Sequence, residues 1–117
     1  MNVFEKIHAA ADSIGIYSCP DVKSEKMKRS TWITYNISYE QGRIYGDDTA
    51  HDRVTAVQVH LFLPKKENFF YTRRLLRDAL IAQGFTHPEM VNNSLEGKEN
   101  EIRHIVFECQ DDEESEE

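Results

Sequence analysis

The chain has 117 residues, 39% of them apolar, and a formal net charge of −7; this is the size of one domain, able to bury about two-thirds of its unfolded surface without staples. No apolar run approaches the ~18 residues needed to cross a bilayer, and Met1 to Gly15 carries acids and a His where an export signal has a basic flank and an apolar stretch, so a soluble, unexported protein is expected. Cys19 and Cys109 stand apart, without a CxxC or a Cys/His ladder, which indicates neither a disulfide framework nor a zinc site and suits a reducing cytoplasm.

Asn2 followed by Glu5 has the offset of a capping box, and Val3, Ile7, Ala10 or Ala11, and Ile14 repeat at helical spacing. Gly15 is placed to end this first helix, with Ile16 folding back on it. Tyr17 to Ser30 holds a Pro, several Lys and no period, and reads as a surface loop. Thr31 to Ser38 alternates, with Ile33, Tyr35 and Ile37 on one face and Trp32, Thr34 and Asn36 on the other, the pattern of a strand. Tyr39 to Arg53, with Gly42, Gly46 and a polar run, reads as a long connection, and long loops in compact domains are often contact surfaces.

Val57, Val59, Leu61 and Leu63 alternate with Gln58, His60 and Phe62 up to Pro64, which suits a strand end. Asn68 can cap a second helix whose Phe69, Leu76, Ala79 and Leu80 form an apolar stripe beside Arg73, Arg74 and Arg77, ending at Gly84. Phe85 to Leu95 is a weak strand, Gly97 a turn, and Ile102 to Cys109 a clear strand with Ile105, Phe107 and Cys109 on one face. The expected fold is α+β: an antiparallel sheet of about four strands with two helices packed on one face, in the order helix-strand-strand-helix-strand-strand.

Six of the 21 acids lie in Asp111 to Glu117. The rest of the chain, with 15 acids against 14 bases, is nearly neutral and lacks the basic footprint of a nucleic-acid-binding domain. The expected organisation is one domain over residues 1–110 and a disordered, self-repelling acidic tail over 111–117.

No nucleophile elbow, phosphate-binding glycine loop or zinc-protease helix is present, so no enzyme and no cofactor are expected. Cys19, a lone thiol beside Pro20, has no nameable activating partner. Asp47, Asp48, His51 and Asp52 resemble metal ligands in type but lack the spacing of a calcium loop, and read as a solvated turn with no metal. His60 and His104 fall mid-strand, where an imidazole is more often packed than a ligand, and no role is assigned to them. Lys23, Lys26, Lys28 and Arg29 form one basic cluster and Arg73, Arg74 and Arg77 another. Either could touch phosphates, yet Glu25 and Asp78 interrupt them, and a solvated face is the simpler reading. In a ring of identical subunits the basic loop could instead meet an acidic loop, Asp47 and Asp48, on the next copy.

The short first helix, Trp32 to Asn36, the loop with Tyr45, Asp47 and Asp48, the run Val57 to Glu67, then Leu76, Leu80, Gly84, Phe85 and His104 to Glu108 together resemble the tail-terminator and tail-completion proteins of long-tailed bacteriophages and of prophages of Gram-positive bacteria. The resemblance spans nearly all of the chain up to Gln110. It implies a non-enzymatic structural protein that caps the tail tube and joins it to the head connector as a ring of about six subunits. The implied partners are the chain itself, the tail tube protein and the head-connector protein, with no membrane and no specific nucleic acid. The implied location is the host bacterial cytoplasm during assembly and then the virion tail. Candidate subunit or tube contacts are Asp47 and Asp48, the basic loop at Lys26, Lys28 and Arg29, and Trp32, which could equally be a core residue. The rival reading is a small nucleic-acid-binding or regulatory module using the arginines of the second helix.

Overall fold

The structure, a computed structural model, describes residues 1–22, 29–43 and 52–114. Helix α1 (Val3–Ser13) leads into strand β1 (Tyr17–Pro20), then β2 (Trp32–Arg43), β3 (Asp52–Pro64), helix α2 (Phe69–Ala82), β4 (Glu89–Glu96), a 3-10 turn (Lys98–Asn100) and β5 (Ile102–Glu114). The strands form one sheet in the order β1-β2-β3-β5-β4. β1 pairs with β2 in parallel, and every other neighbouring pair is antiparallel.

The local signals for both helices act as their chemistry requires. Asn2 and Glu5 close a reciprocal capping box, each side chain bonded to the other's backbone N–H at 2.8 Å. At the far end of α1, Gly15 takes φ +73°, its N–H donates to the Asp12 carbonyl, and that of Ile16 reaches the Ala11 carbonyl. Gly84 repeats the motif after α2 at φ +100°, with Phe85 bonded back to Leu80 and its ring buried. These left-handed positions favour glycine and satisfy carbonyls that the helix ends would leave unpaired.

The two helices share one core with one face of the sheet. Val3, Ile7, Ala10 and Ala11 of α1 and Leu76, Ala79 and Leu80 of α2 cover Ile33, Tyr35, Val57, Val59, Leu61, Leu63, Ile105 and Phe107. The α+β class and the helical cover are as expected, but the sheet has five strands and is mixed. Tyr17 to Pro20, expected in a loop, forms the fifth. It has no alternation because only Ser18 is buried, and it is held by parallel pairing of Tyr17 to Pro20 with Trp32 to Tyr35. Its Pro is tolerated because β1 is an edge strand of four residues.

Two further stretches expected to lack regular structure lie in strands. β2 runs on to Arg43 and β3 begins at Asp52, so both flanks of the expected long loop are paired, with a register shift between Ile37 and Tyr39. Backbone pairing needs no apolar alternation, and polar residues can therefore extend a hairpin that hydrophobic periodicity does not announce. β5 likewise continues past Gln110. Asp111 to Glu114, read from sequence as the start of the acidic tail, pair with Thr55 to Asp52.

Asp111 shows how one acid of that segment is held. Its side chain is 3% exposed, and both carboxylate oxygens accept from Lys6 Nζ, at 2.9 and 3.0 Å. Lys6 stands on α1, so this pair pins the helix to the end of the longest ladder. Removing one partner of a buried pair strands the other charge. Lys6→Met is expected to cost about 3 kcal/mol in a urea denaturation measurement. Adding Asp111→Leu to that variant is expected to restore much of the loss, since the lone buried carboxylate is then gone.

Candidate functional site

The sheet face away from the helices carries side chains that alternation places outward. Pairing of Trp32 with Phe62 and of Phe62 with His104 sets the three in one row across β2, β3 and β5. Their rings stack: Trp32 and Phe62 centroids are 4.8 Å apart at 10°, and those of Phe62 and His104 are 4.2 Å apart at 21°. Trp32 thus lies on the outer face yet is only 9% exposed. Aromatic stacking of this kind contributes about 0.5–1.5 kcal/mol per pair beyond burial.

Beside that row, six polar side chains from four strands form a continuous hydrogen-bonded chain. Glu96 Oε2 of β4 lies 2.5 Å from His104 Nδ1, and His104 Nε2 lies 2.8 Å from His60 Nδ1. His60 Nε2 is 3.0 Å from Asn36 Oδ1. Asn36 Nδ2 donates to Gln58 Oε1 at 3.4 Å, and Gln58 Nε2 donates to Glu108 Oε2 at 3.0 Å. Burial pushes the pKa of His60 below the ordinary imidazole value, the neighbouring His104 pushes it the same way, and Glu96 opposes them.

Sequence alone assigns neither histidine a role. Their outward positions were legible in the alternation of each strand. Their meeting depends on the β3–β5 register, which pairs Phe62 with His104 and so leaves His60 diagonal to it. Sequence periodicity carries no register, and it therefore does not bring the two rings together.

Of the candidate interface residues, Asp47, Asp48, Lys26 and Lys28 lie outside the described residues. Arg29 is exposed at the approach to β2, and Trp32 is in the stacked row. Trp32 also lines a groove of about 660 Å³ at one end of the sheet, with Pro64, Lys65, Lys66, Glu101 and Ile102. Among the described residues no group of three or more His, Cys, Asp or Glu is placed to hold a metal ion, and no helix is long and apolar enough to cross a membrane.

A second surface is built on α2. Phe70 and Tyr71 are 61% and 55% exposed, and Ile81 is also exposed. Phe70 stacks on Phe69 at 4.3 Å between centroids, and the Arg73 guanidinium lies 5.3 Å from the Phe70 centroid. Arg73 and Arg77 face His87, Met90 and Phe107 across a groove of about 330 Å³ between α2 and β4. β4 is an edge strand, with Met90, Val91 and Leu95 exposed.

No family model matches this sequence, and no curated protein matches it.

His60 makes stability depend on pH with a definite sign. The unfolded chain protonates its histidines near the ordinary value of about 6.5, whereas folded His60 resists protonation. The contribution of His60 is therefore complete above that value and is lost as pH falls through the window below it. Urea midpoints for the wild type are expected to drop between pH 7.5 and 5.5, and a His60→Gln variant is expected to show a shallower slope.

Proposed function

We propose that this chain is a non-enzymatic structural subunit that works by assembling with copies of itself, of the kind that caps the tail tube of a long-tailed phage or prophage and joins it to the head connector. The observation that carries the reading is the apolar surface left on α2 and β4. Phe70 and Tyr71 are more than half exposed on a helix whose opposite face is fully packed, and Met90 and Val91 are exposed on the neighbouring edge strand. Beyond the Phe69 stack and the Arg73 contact these rings face solvent in a monomer, while a second subunit would bury them and could cover the edge of β4.

The other edge of the sheet is the four-residue β1, which ends in Pro20 and offers little to pair with. The two edges therefore differ, and a contact made by the β4 edge on a different surface of the next copy is heterologous, the type that closes a ring. The sequence resemblance supplies the ring of about six, the tail tube and connector as partners, and the host cytoplasm followed by the virion tail as the location.

One observation favours the rival reading. Phe70 and Tyr71 stand exposed beside Arg73 and Arg74, and aromatic rings next to guanidinium groups are a surface on which single-stranded nucleic acid can stack. Binding of that kind weakens steeply with salt.

Light scattering across protein concentration tests the proposal. The expected mass is a closed multiple near six, and a Phe70→Asp/Met90→Asp variant is expected to run as a monomer with the wild-type far-UV circular dichroism spectrum, melting lower because assembly no longer stabilises it. A wild-type monomer up to millimolar concentration, with salt-sensitive retention of a single-stranded oligonucleotide abolished by Arg73→Ala/Arg74→Ala, would favour the rival instead.

A further inference from the structure

The hydrogen-bonded chain on the helix-free face is short of one hydrogen. It has five contacts in series, Glu96 to His104, His104 to His60, His60 to Asn36, Asn36 to Gln58 and Gln58 to Glu108, and each needs one hydrogen between its two heavy atoms. Both ends are carboxylates, which accept and do not donate. Of the four members between them, a neutral imidazole places one N–H in the chain, and a carboxamide that uses both its oxygen and its nitrogen donates to one contact. Four hydrogens thus serve five contacts. Choosing another imidazole tautomer, or turning either carboxamide over, only moves the empty contact along the chain.

One added proton fills it. The imidazoles are the most basic members, and an imidazolium donates from both nitrogens. The filled chain requires the orientation seen, with Asn36 Oδ1 toward His60 and Asn36 Nδ2 toward Gln58. A second proton does not fit, because His60 Nδ1 and His104 Nε2, 2.8 Å apart, would then both carry hydrogen.

We propose that this face is a one-proton site: His60 and His104 share a single proton held between Glu96 and Glu108, and its loss reverses the Asn36 carboxamide and opens the Asn36–Gln58 link. The link that opens is the longest of the five, at 3.4 Å. With Asn36 Nδ2 turned to His60, the two carboxamide oxygens face each other there and repel. The site therefore ties a side-chain link between β2 and β3 to the protonation of the histidine pair.

The charged and titratable groups on this face come from three sides. β4 supplies Glu96, which favours a proton on His60, and β5 supplies Glu108, which accepts from Gln58 at the far end of the chain. From β1, Tyr17 and Cys19 stand opposite Trp32 and Thr34, with β2 between them and His60. The proposal does not rest on self-assembly, and it holds for a monomer or a ring.

The test is ¹⁵N NMR of the imidazole nitrogens in the full chain, titrated from pH 8.5 to 5. His60 and His104 are expected to move together in one step that totals one proton. Glu108→Gln turns an accepting end into a donating one, so five hydrogens then serve five contacts without the extra proton. Asn36→Val cuts the chain and leaves the Glu108 charge in place. Each is expected to weaken binding of the shared proton about tenfold, and the double variant is expected to be no weaker than either single one. That shared limit distinguishes a counted chain from separate local effects of the Glu108 charge and of the Asn36 acceptor on His60, which would add in the double variant. Independent titration of the two rings, a silent Asn36→Val, or additive effects in the double variant, with the amide spectrum showing each variant folded, would overturn the proposal.

Discussion

The thirteen-pair antiparallel ladder between β3 and β5 is the constraint on which the rest of this structure depends. Its register decides both faces of the sheet at once, because side chains alternate and a slip of one residue would exchange them. Inward it sets Val57 beside Cys109, Val59 beside Phe107 and Leu61 beside Ile105, which are the floor of the helical core. Outward it sets Phe62 beside His104 and Gln58 beside Glu108, which are the middle of the aromatic row and one end of the polar chain. At its far end it brings Asp111 opposite Thr55 and under the reach of Lys6.

The two faces use that ladder differently. On the helical side, burial is the stabilising term, at roughly 25 cal/mol for each Å² of apolar surface removed from water. Cys109 belongs to that side, and burial pushes its thiol pKa up to about 12, so it packs as a small apolar residue and is a poor nucleophile. On the other side, no helix among the described residues covers the sheet, and the side chains cover one another. Stacked rings shield the upper part, while hydrogen bonds join the polar groups below them across four strands. A polar network half removed from water is worth having only when its donors and acceptors match, which makes the number of protons on the histidine pair a structural quantity.

The outer surfaces of α2 and β4 are where the fold leaves material unused. Apolar residues scattered singly on a surface need no explanation, but Phe70, Tyr71, Met90 and Val91 occupy adjoining elements at one edge of the sheet. The β4 register shift between Met90 and Asn92 bends that edge, a device by which natural sheets limit indiscriminate pairing while leaving a shaped contact available.

Local chemistry in the chain was enough to determine α1 with its capping box, α2 with Asn68 and Gly84 at its ends, and the inward faces of β2, β3 and β5, because each follows from spacing within a dozen residues. It also determined that Trp32 points away from Ile33 and Tyr35. Only the tertiary structure decided that Tyr17 to Pro20 is a strand, since its pairing with β2 is made by backbone groups that every sequence possesses. The same holds for the polar extensions of β2, β3 and β5. The meeting of His60 with His104, and of Lys6 with Asp111 105 residues away, was likewise decided by register and helix placement, which are long-range quantities that no local pattern encodes.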